Sequence, residues 1–266
     1  MADELELRRA TIDDATAIVD IIRSGFAPAL LDKFIFGCAG ISRYVREQII
    51  ASDQDGDTRF TVAARGGTPI GCCELRRLRD RLFLNYIAVL PDARSAGLGR
   101  RLLHAGIERT AGASHSSISL DVIEDNRVAV DWYRSLGFER SHATEWWELP
   151  IEASSVDTGA CVTGLPQAAA CQEAFGFSRV TVTTATGTWE VGLLGTHWFR
   201  ITEPGALGDP SLLATLHRLD PARELLALLP EGALLSSAHR ATRATGTHRM
   251  TMDLAALRAV LENRSR

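Results

Sequence analysis

The stretch "YIAVLPDARSAGLGRRLL", Tyr86 to Leu103, decides how the chain is read. An apolar run, a proline, an arginine and two glycines one residue apart lead into a segment with Leu98, Leu102, Leu103 and Ile107 on one helical face. The pattern predicts a strand, a glycine turn and a helix. Free amides at a helix start point outward and the helix dipole favours negative charge there, so such a turn suits phosphate. A simple chain reversal also uses glycines. Two nucleotide patterns do not apply. The phosphate-loop pattern G-x-x-x-x-G-K-S/T is missing. A dinucleotide fingerprint would use Gly97, Gly99 and Asp121, but Leu102 stands at its third glycine and Leu90 to Ala96 separate the strand from the turn.

Working outward, "ELELRRA" alternates as a strand does, and "TIDDATAIVDIIRSGF" reads as a capped helix. "PALLDKFIFGCAGISRYVREQIIA" reads as a loop and a second helix. "RFTVAAR", "GGTP" and "IGCCELRRL" predict a hairpin, and "RLFLNYIAVL" a long buried strand. After the glycine-turn helix come the strand "SSISLDVI", the helix "NRVAVDWYRSLG" and one or two strands in "FERSHATEWWELP". This order predicts a mixed α/β domain over residues 1–150, then a small polar linker over 151–163, then a second lobe over 164–266. The second lobe repeats earlier grammar: "SRVTVTTATGTWEVGLLG" parallels "RFTVAARGGTPIGCCELR", "THWFRITEP" the long strand, and "PSLLATLHRL" with "PARELLALL" the helix after it.

The 266 residues allow one large or two smaller domains, and 45% hydrophobic with 23% charged residues is the composition of a soluble globular protein. A net charge of −4 argues against nucleic acid as a partner. Lys33 is the single lysine, so arginine carries nearly all basic charge, as expected of a GC-rich bacterial genome. The five cysteines, Cys38, Cys72, Cys73, Cys161 and Cys171, form no C-x-x-C pair, which fits free thiols in a reducing compartment. No signal segment or run of about 20 apolar residues appears, so the expected location is cytoplasmic, with no membrane partner. The seven histidines show no metal-binding spacing.

Two motifs together carry a family resemblance. Arg94-x-x-Gly97-x-Gly99 after "IAVLPD" resembles the Q/R-x-x-G-x-G/A pyrophosphate loop of the GNAT N-acetyltransferases. Asn126-x-x-Ala129-x-x-x-Tyr133-x-x-x-Gly137-Phe138 resembles that family's second signature. The resemblance covers about residues 5 to 150. It implies a GNAT fold with a second, smaller α/β lobe, and acetyl-CoA as cosubstrate. It further implies that Arg94, Ser95, Ala96, Gly97, Leu98, Gly99 and Arg100 hold the pyrophosphate, that Ile87, Ala88 and Val89 bond the pantetheine arm, and that Asn126, Ala129 and Tyr133 complete the site.

The implied activity is acetylation of a primary amine, on a small molecule or a peptide N-terminus. The amine must be neutral to attack a thioester, and a thiolate must leave. By resemblance, Tyr133 protonates that sulfur. Asp121 is the first choice for the base, matching a glutamate of the ribosomal-protein N-terminal acetyltransferases, with Glu124 and Glu74 as alternatives. The apolar stretch with Phe26, Leu30, Leu31, Phe34 and Phe36 sits where these enzymes build their acceptor wall. Trp146 and Trp147 fall on opposite faces of a strand. The second lobe lacks the glycine loop and carries Asp209-Pro210 at the corresponding helix start, so it is expected to be non-catalytic. Other readings are a CoA-binding sensor without turnover and a longer acyl-CoA donor. The oligomeric state stays open between monomer and homodimer.

Overall fold

The computed structural model describes residues 5–94, 97–152, 159–233 and 240–263. Strand β1 (Leu5–Arg9) leads into helix α1 (Ala15–Arg23) and, after two short 3-10 turns, helix α2 (Ile41–Asp53). Antiparallel strands β2 (Thr58–Arg65), β3 (Thr68–Arg77) and β4 (Arg81–Val89) follow. Then come α3 (Leu98–Thr110), β5 (Ser117–Ile123), α4 (Arg127–Leu136) and β6 (Glu139–Leu149).

The second half is β7 (Cys161–Thr163), α5 (Leu165–Phe175), β8 (Phe177–Thr183), β9 (Thr188–Leu194), β10 (Trp198–Ile201), α6 (Pro204–Leu207), α7 (Pro210–Leu219), β11 (Glu224–Pro230), β12 (Thr242–Asp253) and α8 (Leu254–Glu262). The repeat seen in the sequence is real in three dimensions: β8 and β9 form the second half's counterpart of the β2–β3 hairpin. "ELLALLP", expected to be helical, is instead strand β11. Its residues Leu225 to Leu229 are all buried between β10 and β6, and a short all-apolar run looks the same for a buried strand as for a buried helix.

All strands join one sheet in the order β1-β2-β3-β4-β5-β12-β6-β11-β10-β9-β8-β7. The two halves exchange their last strands. β12 pairs with β5, β6 pairs with β11, and the two exchanged strands lie antiparallel at the centre. The expected division at residue 150 is therefore crossed by the chain: the first half is incomplete without its last described residues. Met250 of β12 and Leu254, Leu257 and Leu261 of α8 pack into the core beneath α3 and α4, each at most 2% exposed. Burying each of these side chains is worth roughly 1.5–3 kcal/mol. A second core lies under α1 and α2 on the opposite face, and a third fills the second half.

Where the halves meet, Trp146 packs with Cys38, Trp198 and Leu228, while Trp147 faces the second half's core. The wall between α1 and α2 is tied to the same seam. Lys33 Nζ lies 3.0 Å from Glu148 and 3.2 Å from Asp32, and Trp198 Nε1 donates to Asp32 at 3.1 Å. No described helix is long and apolar enough to cross a membrane.

Candidate active site

The site begins where β4 and β5 part. They pair in parallel from Arg81–Ser117 to Leu84–Leu120 and no further. Asn85 bulges out of the β3–β4 ladder at this point, between the Leu75–Leu84 and Glu74–Tyr86 pairs. Beyond it β4 continues against β3, and Asp121 to Ile123 continue against β12, so a wedge opens between them.

Helix α3 starts in that wedge. Gly97 is its N-cap, at φ +97°, a left-handed conformation that side-chain-bearing residues rarely adopt. A Cβ on Gly99 would stand 3.5 Å from the Trp132 ring, inside the cleft. The first-turn amides thus face a space that side chains would fill, a cradle suited to a phosphate group. Arg94 Nε donates to the Val89 carbonyl at 3.3 Å, bracing the turn. Ser95 and Ala96 lie outside the described residues.

Helix α4 closes the other side. Asn126 caps it, its Oδ1 accepting from the Ala129 amide at 3.2 Å. The helix ends at Gly137, φ +98°, with the Phe138 amide donating to the Tyr133 carbonyl at 3.1 Å. These two ends fix Tyr133, which packs edge-on against Phe138 and beside Trp132. Burial pushes its phenol well above the ordinary tyrosine range.

A cleft of about 600 Å³ brings together Ile87, Ala88, Val89, Arg94, Leu98, Gly99, Asn126, Ala129 and Tyr133. Gly97 and Arg100 belong to the turn but do not line this space. A wider cleft of about 980 Å³ opens on the far side of the wedge. Both clefts share Phe26, Ile87, Ala88, Asn126, Ala129 and Tyr133, so Tyr133 stands at their junction. The expected acceptor wall is partly there: Phe26 and Phe34 line the wider cleft, Leu30 lines the narrower one, and Phe36 is core.

Asp121 lines the wider cleft, but both its oxygens accept from Arg249, Oδ2 from Nη2 at 2.8 Å. Both oxygens are thus engaged by one guanidinium, which weighs against the expected base role. Glu124 is held by Arg243, which keeps its carboxyl below the usual range. Glu74 lines neither cleft. Burial raises its pKa, against the pull of Arg76 and the Asn85 amide. The wider cleft also takes residues from the second half that sequence reasoning missed: Phe177, Arg179 and Arg200. Their distance in sequence from every motif gave no signal.

The equivalent helix start in the second half is built differently. Asp209 Oδ1 accepts from the amides of Ser211 and Leu212 at 2.9 and 3.1 Å. Its Oδ2 accepts from Thr184 and Thr186 at 2.5 Å and from Trp189 Nε1 at 2.8 Å. Burial opposes the charge, but these bonds outweigh it and its pKa falls to about 2. The chain's own carboxylate fills the place an outside anion would take.

The splayed strands, glycine turn and capped helix lie on a fold shared with GNAT proteins. Residues 27–138 match the model of the acetyltransferase (GNAT) family. An uncharacterized N-acetyltransferase of Methanocaldococcus jannaschii is 25% identical over 53% of this chain and 63% of its own length. A mycothiol acetyltransferase of Renibacterium salmoninarum is 39% identical over 26% of this chain and 20% of its own. These relatives are thus matched over less than two thirds of their lengths. Across both halves the fold is that of a tandem GNAT protein from the clavulanic acid biosynthesis pathway (TM-score 0.65, 15% identity, 94% of this chain and 98% of that one). A GCN5-related N-acetyltransferase from Sphaerobacter thermophilus is also alike (TM-score 0.59, 15% identity, 95% and 96%).

Proposed function

We propose that the protein is an acetyl-CoA-dependent N-acetyltransferase with one working site, in the first half, that acetylates a primary amine. The observation that carries this reading is the position of Tyr133 where the two clefts meet. The narrower cleft takes the cosubstrate: the amides of the α3 turn, with Arg94, Gly97, Gly99 and Arg100 around them, receive the pyrophosphate. Ile87 to Val89 offer backbone groups to the pantetheine arm, and Asn126 and Ala129 form the far wall. Acetyl-CoA supplies an activated thioester at the wedge.

The wider cleft orients the acceptor amine toward that thioester. Tyr133, kept protonated by burial, hands its proton to the departing sulfur. Among the described residues, Asp121 is the one carboxylate lining the acceptor cleft. With Arg249 on both oxygens it acts on the amine electrostatically, and the neutral fraction of the amine provides the nucleophile. Incubation with acetyl-CoA and a panel of primary amines, read by mass spectrometry, tests the reading. Gain of an acetyl group together with release of CoA is expected. Binding of acetyl-CoA without transfer to any amine would leave a CoA-binding sensor instead.

A further inference from the structure

Arg200 sits in the middle of β10, between Phe199 and Ile201, which are at most 1% exposed. Its strand neighbour on β9 is Gly192, where a Cβ would approach the Arg200 Cβ to 3.4 Å, so the glycine leaves the arginine room. The side chain lines the acceptor cleft. Its Nε is buried with no hydrogen-bond partner, and among the described residues no carboxylate pairs with the guanidinium. Every other full cation lining this cleft has a carboxylate: Arg76 has Glu74, Lys33 has Asp32 and Glu148, and Arg179 has Glu190 at 3.7 Å. Among the described residues the one carboxylate lining the cleft, Asp121, is taken by Arg249. A half-buried arginine left unpaired in a strand interior is costly unless something else supplies the negative charge.

We infer that the acceptor carries a carboxylate, bound by Arg200, on the same apolar frame as its amine. One unpaired guanidinium matches one negative charge and pairs with a carboxylate in two parallel hydrogen bonds. Arg200 lines the same cleft as Tyr86 of β4 and Asp121 of β5, the two strands that flank the wedge, so the anion shares a space with the reacting end. Aromatic rings of Phe34, Tyr86, Trp146 and Phe177 line the same space and suit an apolar side chain. The acceptor class is therefore an amino acid or an amino-acid-like compound. Its specificity is set from the second half, while the transfer chemistry belongs to the first. This assignment rests on the acetyltransferase reading.

The test uses matched pairs: phenylalanine with phenethylamine, leucine with isopentylamine, and phosphoethanolamine with ethanolamine. Each is titrated calorimetrically into the CoA-loaded protein and assayed for acetylation. The carboxylate members should bind and be acetylated at least tenfold better than their decarboxylated partners. In Arg200→Met that ratio should collapse to about twofold or less while CoA still binds at one per chain; Arg200→Lys should keep part of the preference. Equal use of both members, no binding of either, or a preference that survives Arg200→Met would overturn the assignment. So would a phosphate member that outcompetes the carboxylates. Arg200-dependent binding of carboxylates without acetylation would keep the anion site and overturn the transferase reading instead.

Discussion

Arg249 and Asp121 are cross-strand partners whose side chains meet as well as their backbones: β12 delivers the guanidinium from the end of the chain onto a carboxylate of β5. An aspartate with both oxygens engaged has no oxygen left over for the amine's proton, and is placed to act electrostatically. Asp121→Asn should lower kcat/KM by about tenfold or less, below the range usual for loss of a positioned base. A drop beyond a hundredfold in steady-state assays would restore Asp121 as the base.

Gly99→Asp places a side chain into the cleft beside Trp132 and a carboxylate at the anion cradle. Acetyl-CoA affinity should fall at least a hundredfold by calorimetry, with the melting temperature little changed. Undiminished affinity would remove the α3 turn from the binding site.

Titration of the intact protein should saturate at one CoA per chain, because Asp209 already occupies the second helix start. Its folded pKa, about 2, lies below the ordinary 3.8. The sign follows: its contribution, about 2 kcal/mol, is complete above about pH 4 and is lost as pH falls through 2. Asp209→Ala leaves Thr184, Thr186 and Trp189 without their acceptor and should cost on the order of 3 kcal/mol at pH 7, read by urea unfolding. A stoichiometry near two would mean the second half also binds the cosubstrate.

Tyr133→Phe keeps the ring against Phe138 and removes the proton. Turnover should fall by roughly a hundredfold to ten-thousandfold with acetyl-CoA affinity nearly unchanged. Since burial raises the phenol's pKa, the wild-type kcat profile should show no descending limb from Tyr133 up to about pH 10. Wild-type rates in the Phe variant would make Tyr133 a packing residue.

Local signals made the first site legible. Gly97, Asn126 and Gly137 each satisfy a backbone requirement within a few residues of themselves, and those requirements leave traces in sequence spacing. The origin of the strand between β5 and β6 left no such trace. Thr242 to Asp253 is mostly polar with no regular alternation, and nothing in its residues states that its partner is Asp121 rather than a neighbour in the second half. Arg200 was hidden for the same reason, since its meaning depends on a cleft that two distant segments build together. "ELLALLP" misled because burial on both faces erases the periodicity that separates strand from helix.

The strand exchange also sets an order of events on the ribosome. Asp121 and Arg249 are 128 positions apart, and at translation speeds of about 5–20 residues per second the intervening chain takes roughly 6–25 seconds to emerge. Through that interval β5 presents a bare row of amides and carbonyls, the kind of edge to which other nascent chains adhere. High contact order slows the final closure further. A stalled or prematurely terminated transcript therefore yields a first half that carries both signature motifs and still cannot close its sheet.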